Sequence, residues 1–116
     1  MSRYARHAAV RTMGADRNAG PLKEFAEWCG LSVEPLPGGN GRPDWLVGGW
    51  GVDALAEVKP ERSTEDEVFE RETNLRKKQR DWHAAWRGGR PFVVRTCGDV
   101  LAMVNVMRKR AERMAR

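Results

Sequence analysis

Two short apolar runs joined by a glycine-rich segment constrain the fold of this chain more than any other feature. The runs are 44–47 and 54–58, and the segment between them reads Gly-Gly-Trp-Gly-Val-Asp. Glycines between strand-like runs favour a short hairpin loop, because glycine readily adopts the positive φ angles that tight turns need. The pattern predicts two adjacent antiparallel strands against which the rest of the chain must pack.

The remaining periodicities predict helices and strands on both sides of the hairpin. Apolar residues at three- and four-residue steps predict a helix that is capped by Asp16 or Asn18, carries Pro21 in its first turn and runs to Cys29, where Gly30 ends it. The other predicted elements are a strand over 31–36, a loop over 37–41, a helix over 74–86 with its apolar side facing inward, a strand over 91–96, and a last helix from 98 through 107. The order α-β-β-β-α-β-α predicts an α/β fold with a central mixed sheet flanked by helices.

The chain of 116 residues suits one domain. We expect a domain over 16–107 between a basic arm over 1–15 and a basic tail over 108–116, with an acidic insert over 61–72 that either gates the substrate or is simply solvated.

The net charge of +5 suits a polyanionic partner, although each basic terminus is equally well a solvated surface. No apolar run reaches the ~20 residues that cross a bilayer, so we expect a cytoplasmic protein with reduced cysteines and no membrane association.

Glu57 and Lys59 are the candidate centre of the chemistry. Alternation along 54–59 predicts that both side chains project from the same face of a strand. Asp44 opens the preceding strand, and the hairpin brings the start of that strand close to the end of the next, so Asp44 can approach Glu57. The alternative is a solvent-facing Glu57–Lys59 pair, with Asp44 following Pro43 in a turn.

Two neighbouring carboxylates repel each other unless a cation lies between them. Oxygen ligands without histidine or cysteine suit Mg²⁺ or Mn²⁺, and the Val58 carbonyl can add a further ligand. Such an ion polarises a phosphodiester oxygen and lowers the pKa of a bound water, while the Lys59 ammonium offsets developing negative charge. The trio of Asp44, Glu57 and Lys59 therefore predicts metal-assisted phosphodiester hydrolysis.

The wider spacing of these residues resembles a known family. Gly-Arg-Pro-Asp over 41–44 is followed after twelve residues by Glu-Val-Lys over 57–59, and later by Gln-Arg-Asp-Trp over 79–82. This series resembles the PD-(D/E)XK nuclease superfamily, and specifically the small stand-alone VRR-NUC (virus-type replication-repair nuclease) domains of phages and bacteria. The resemblance spans 16–104. The matching positions are Pro43, Asp44, Glu57, Val58, Lys59, Gln79 and Trp82.

The resemblance implies a restriction-endonuclease-like core and assigns roles to these positions. Asp44, Glu57 and the Val58 carbonyl would bind the metal, Lys59 would be the catalytic lysine, and Gln79 would orient the site. Three further residues are candidate nucleic-acid contacts: Asn18, Arg42 and Trp82. Many family members carry a glutamate as an extra metal ligand on the first helix, where this chain has Asn18; Glu24 and Glu27 are nearby substitutes, and a helix N-cap is the alternative role of Asn18.

Three other side chains have two interpretations each. Arg42 precedes the Pro-Asp pair and can grip a phosphate through its planar guanidinium. His83 follows Trp82 and is either a proton carrier facing DNA or a surface or packing residue. Trp82 and Trp86, four residues apart, favour a core or dimer-contact stripe over base stacking.

The expected function is that of a Mg²⁺- or Mn²⁺-dependent DNA endonuclease without an organic cofactor. The resemblance to stand-alone members implies a homodimer that acts on branched DNA, such as a Holliday junction or a flap. Two alternatives stay open. One is a weakly active or inactive DNA-binding module with the nuclease fold, which the replacement of glutamate by Asn18 favours. The other is a protein-interaction subunit that uses its tryptophans and acidic insert.

Overall fold

A computed structural model describes residues 15–37, 39–60 and 77–115. In chain order the elements are α1 (Ala15–Trp28), β1 (Ser32–Pro35), β2 (Trp45–Gly49), β3 (Val52–Val58), α2 (77–85), β4 (Phe92–Val94) and α3 (Cys97–Met114). This confirms the predicted order of elements. Residues 1–14 of the predicted arm and the whole acidic insert lie outside the described residues.

The strands form one mixed sheet in the order β1-β2-β3-β4. β1, β2 and β3 are successively antiparallel, while β4 runs parallel to β3. A parallel neighbour requires a crossover connection, and α2 lies within that crossover. The α/β class with a central mixed sheet is therefore confirmed.

The hairpin between β2 and β3 is tighter than the glycine pattern predicts. Gly49 pairs with Val52, so only Trp50 and Gly51 form the turn. Both have positive φ angles, 54° and 78°, as in a type I′ turn. Gly49 belongs to β2 and not to the turn. Packing favours glycine at this strand position, because a Cβ there would lie 2.8 Å from the Leu31 side chain.

The core lies between one face of the sheet, here called the inner face, and the helices α1 and α3. Both helices contact this sheet and each other. Alternate strand residues point toward the core, so every second side chain of β3 packs there. The buried apolar residues are Leu22, Phe25, Ala26, Leu31, Trp45, Val47, Val52, Ala56, Val58, Val94, Val100, Met103, Val104 and Met107. The opposite face, here called the outer face, carries the remaining strand side chains.

The helix α1 ends as predicted but begins earlier. Gly30 has a φ of 101°, and the bonds from its N–H to Glu27 O and from Leu31 N–H to Ala26 O form a Schellman ending. Because the helix includes Ala15, neither capping prediction is correct, and Pro21 lies in the helix interior rather than in its first turn. Asn18 is a buried interior residue, so the N-cap interpretation is wrong for it.

The helix α3 begins with a capping box and extends past its predicted end. The Thr96 side chain accepts from Asp99 N–H, and the Asp99 side chain accepts from the Thr96 N–H. The helix continues through Met114, and Ala111, which lies beyond position 107, still packs against the core. None of the helices in the described ranges is long and apolar enough to cross a membrane.

Candidate active site

The alternation along β3 separates the core from the candidate site. Ala56 and Val58 are buried in the core on the inner face, whereas Glu57 and Lys59 contact α2 on the outer face. The prediction that Glu57 and Lys59 share one face is confirmed. The prediction of a solvent-facing pair is wrong for Glu57, which is only 3% exposed. A carboxylate buried this deeply needs a partner, because desolvation disfavours its charged form.

Asp44 lies at the point where pairing between β2 and β3 ends. Its Oδ2 atom accepts a hydrogen bond of 2.7 Å from Val58 N–H, and its own N–H donates to Ala56 O at 3.0 Å. Pro43 is buried beside it and has no N–H to continue the ladder. The Asp44 carboxylate is thus held next to the residue that follows Glu57, as the hairpin argument predicts, and it also completes the strand pairing.

Lys59 and Gln79 meet across the gap between β3 and α2. The Lys59 Nζ atom donates to Gln79 Oε1 at 2.5 Å, and both side chains are half-buried. The Lys59 backbone N–H donates to Val94 O at 3.0 Å, which holds the end of β3 against β4. The ammonium is therefore fixed at the strand end by contacts on its backbone and on its side chain.

The second contact between β3 and α2 joins Glu57 to His83. The His83 Nε2 atom lies 2.8 Å from Glu57 Oε1, and the imidazole is more exposed than the carboxylate. Because an ionised carboxylate only accepts hydrogen bonds, the ring nitrogen donates when Glu57 is charged. Sequence reasoning treated His83 as an isolated residue and missed this pair.

The spacing of these residues contains the signal that could have found the pair. Gln79 and His83 are four residues apart on a helix, a rise of about 6 Å. Lys59 and Glu57 are two residues apart on a strand, a rise of about 6.6 Å. The two spacings match when the helix runs opposite to the strand, so Gln-x-x-x-His on α2 is complementary to Glu-x-Lys on β3.

Asn18 lies beneath the site and ties α1 to two strand ends. Its Nδ2 atom donates to Lys59 O at 3.3 Å and to Arg95 O at 2.9 Å, and the residue is 1% exposed. Both amide hydrogens are used in these contacts, so a metal could bind only through the amide oxygen. Of its suggested substitutes, Glu27 forms an exposed ion pair with Lys23 at 2.9 Å on the α1 surface.

The glycine loop brings Arg42 toward α2. Gly41 has a φ of 74°, and a Cβ on it would overlap the backbone carbonyl of Lys78, so the loop packs directly on the helix next to Gln79. Arg42 is exposed beside this contact, with its N–H donating to Gly39 O at 3.3 Å. A guanidinium in this position is accessible to a phosphate.

Trp86, which directly follows α2, does not face the core as predicted. Trp86 is 47% exposed, and its ring stacks on Trp82 with centroids 4.9 Å apart and planes at 17°. Trp82 is half-buried and also meets the His83 ring edge-on at 5.7 Å. The prediction of an inward apolar side is wrong at Trp86, because the helix ends at residue 85 and the ring packs on its neighbour.

The donor set at this site fits a hard divalent cation. Asp44 and Glu57 can supply carboxylate oxygens, and Val58, which follows Glu57 directly and donates its N–H to Asp44, can supply a backbone carbonyl. In the described part of the chain, no three His, Cys, Asp or Glu side chains form a group that could hold a metal. An ion would therefore complete its coordination with backbone, water and substrate oxygens, as Mg²⁺ commonly does.

Comparisons with known proteins return no relatives. No protein-family model matches the chain, and neither the curated proteins nor the solved structures contain a significant match. The candidate site rests on the residues and contacts of this chain alone.

Proposed function

We propose that this protein is a Mg²⁺- or Mn²⁺-dependent endonuclease of the PD-(D/E)XK type that hydrolyses phosphodiester bonds in DNA. The observation that carries the proposal is the double contact between β3 and α2, in which Lys59 meets Gln79 and Glu57 meets His83. Asp44 is held at the end of the adjoining strand by Val58 N–H. Two acids and a lysine therefore lie together at one end of the two central strands.

Asp44, Glu57 and the Val58 carbonyl would hold the metal ion in this proposal. The bound ion would polarise the scissile phosphate and supply a water of lowered pKa. Lys59 offsets the negative charge that develops on the phosphate, and Gln79 fixes the direction of the ammonium through its side-chain oxygen. His83 orients the Glu57 carboxylate, because a hydrogen bond to one oxygen restricts rotation of the group.

The charge of the chain supports a nucleic-acid substrate. Lys and Arg exceed Asp and Glu by five, and exposed Arg42 stands next to the Pro43–Asp44 pair. A cation at this place can bind a backbone phosphate beside the metal and set the position of the strand. A homodimer with two such sites would address two strands, as branched DNA requires.

A second function is favoured by the partners that the acids already have. Asp44 Oδ2 is bonded to Val58 N–H, Glu57 Oε1 contacts His83, and Asn18 supplies an amide rather than a third carboxylate. These contacts suit a nuclease-fold module that binds DNA without cleaving it efficiently. The two functions differ in whether a divalent metal changes the DNA.

The deciding experiment compares cleavage of linear, flapped and four-way DNA in Mg²⁺, Mn²⁺ and EDTA. Asp44→Asn keeps the hydrogen bond to Val58 N–H and removes the charge, and Glu57→Gln does the same toward His83. With Lys59→Met, each change should reduce cleavage by about 10²-fold or more without lowering the melting temperature appreciably. Asp81→Asn, which alters an exposed carboxylate on α2, is the matched control.

Equal cleavage by the parent and by all three site variants would overturn the nuclease proposal. Binding of DNA in EDTA without cleavage in either metal would favour the binding module instead. In both cases a steep dependence of affinity on salt concentration identifies the phosphate contacts.

A further inference from the structure

A second feature, where the outer face meets the edge of β3, lies next to the candidate active site but is not part of it. A depression of about 270 Å³ opens between β2, β3 and the end of α2. Its lining residues are Leu46, Asp53, Ala54, Leu55, Trp86, Gly89, Arg90 and Arg110. The lining thus combines apolar strand residues, one indole ring, two guanidinium groups and one carboxylate.

The indole ring is presented by a stack rather than by a flexible surface side chain. Trp86 packs on Trp82 at 4.9 Å between centroids, yet 47% of Trp86 stays exposed. Stacking on a half-buried neighbour restricts the ring, so a planar ligand meets it at a low cost in side-chain entropy. An exposed and supported aromatic ring of this kind suits base stacking.

The arginines approach the depression from separate elements. Arg90 lies in the segment before β4, and Arg110 on α3 lies with its guanidinium 5.4 Å from the Phe92 ring. In the described sheet, β4 pairs with residues 56–58 of β3 and does not extend to Ala54. The edge of β3 at Ala54 is therefore not covered by β4, and Arg110 lines the depression there. Two cations beside an aromatic floor match a phosphate on each side of a base.

The depression continues directly from the candidate active site. Leu55 precedes Glu57 by two residues on the same face of β3, a distance of about 6.6 Å along the strand. Trp86 follows His83 by three residues, which is close to one helical turn. A strand bound with a phosphate at Glu57 and Lys59 therefore passes the depression with its next nucleotide.

We propose that this depression binds one unpaired base of a DNA strand, stacked on Trp86 and flanked by phosphates on Arg90 and Arg110. The inference rests on the proposed function, which it deepens by naming the substrate class: DNA with an unpaired nucleotide beside the cut. The volume is below the ~300 Å³ typical of the smallest drug-like sites, which suits a single base. Asp53 accepts from an exocyclic amino group, a donor that adenine, cytosine and guanine carry.

Charge selects DNA over a second copy of this chain as the occupant. Arg90 and Arg110 make this surface locally basic, so burying it against the same surface of a second copy would bring like charges together. A nucleic-acid strand brings the opposite charge together with planar rings.

The test measures binding in EDTA, so that catalysis does not enter. Fluorescence anisotropy compares a labelled blunt duplex with the same duplex bearing a short single-stranded flap. The parent should prefer the flap, and Trp86→Ala should weaken flap binding about tenfold while leaving blunt-duplex binding within about twofold. Trp86→Phe should keep most of the preference, because it keeps a ring to stack on.

Trp50→Ala is the matched control, since Trp50 is also exposed, at 43%, but lies in the β2–β3 turn against Arg108. It should leave the flap preference unchanged. Arg90→Gln and Arg110→Gln should each reduce affinity and lower the salt dependence by about one phosphate contact.

The outcomes separate this inference from the nuclease proposal. If no metal supports cleavage but the flap preference depends on Trp86, the base site stands and the nuclease proposal falls. If the protein cleaves DNA and Trp86→Ala binds the flap as the parent does, the base site is overturned. It is equally overturned if Trp86→Ala leaves DNA binding intact and instead abolishes self-association in sedimentation, since the surface would then join two copies of the chain.

Discussion

The inner and outer faces of the sheet differ in what covers them. On the inner face α1 and α3 bury Val47, Ala56 and Val94 to between 0% and 1% exposure. On the outer face Leu46 and Val93 are 42% and 45% exposed, and the side chains of Glu57 and Lys59 make polar contacts with α2. Apolar packing on the first face provides stability, which allows the second face to carry charged groups and open surface.

The largest effect is expected where Asn18 joins the inner layer to the site. Asn18→Asp replaces an amide that donates to Lys59 O and Arg95 O with a carboxylate that can only accept, so it buries a charge against two carbonyl oxygens. We expect a loss of about 3–5 kcal/mol in the free energy of unfolding, measured by urea denaturation. Asn40→Asp makes the same chemical change at an exposed loop position and should be nearly neutral.

The opposite result for Asn18→Asp would contradict the assignment of Asn18 to the stabilising inner layer. Unchanged stability together with tighter Mn²⁺ binding would assign this residue to a metal site rather than to the scaffold of the inner layer.

The loop that packs on α2 gives the next effect. Gly41→Ala combines a positive φ with overlap on the Lys78 carbonyl, so the loop or the helix must shift. We expect a loss of about 3 kcal/mol in stability, together with weaker cleavage, because Gln79 moves with the helix. Gly39→Ala is matched for backbone strain, with a φ of 109°, but meets no atom within 4 Å.

Gly39→Ala should therefore cost only about 1 kcal/mol, from backbone strain alone. Equal losses for the two alanine variants would show that the contact between this loop and α2 is unimportant.

Substitution of the neighbouring valines on β4 gives a direct comparison of the two faces of the sheet. Val94→Ala removes two methyl groups from the core and should cost about 2 kcal/mol, whereas Val93→Ala acts on the outer face and should cost about 0.5 kcal/mol. Both variants have the same side-chain change on the same strand, so propensity cancels. Thermal and urea unfolding would measure the difference, and similar losses would mean that the outer face is as well covered as the inner one.

A smaller effect on stability than at Val94 is expected at the contact between β3 and α2. His83→Ala leaves the buried Glu57 carboxylate without its imidazole partner and should cost about 1 kcal/mol. His83→Gln offers an amide donor in its place and should recover most of that loss. In a cleavage assay in Mn²⁺, His83→Gln should likewise be more active than His83→Ala. A His83→Ala variant as stable and as active as the parent would show that His83 does not position Glu57.

The local patterns of the sequence determined much of the fold. Gly30 ends α1 because only glycine adopts its positive φ easily, and the alternation along 54–59 separates core side chains from site side chains. The period of two is a property of any strand, so the common face of Glu57 and Lys59 follows from sequence alone. The element order was likewise predicted from local patterns. The family resemblance, not a local pattern, implied that Gln79 orients the site, and in the structure Gln79 contacts Lys59.

Contacts between distant segments were decided only by the tertiary structure. The length of α3 depends on packing of Ala111 against the core, and the burial of Asn18 depends on its contacts with the strand ends at Lys59 and Arg95. No local residue pattern encodes these contacts. The Glu57–His83 pair also requires α2 to run opposite to β3, and that direction is set by the crossover between β3 and β4. Local backbone preferences are encoded residue by residue, whereas these contacts arise from how whole elements pack, and so Glu57 acquired its partner only in the folded chain.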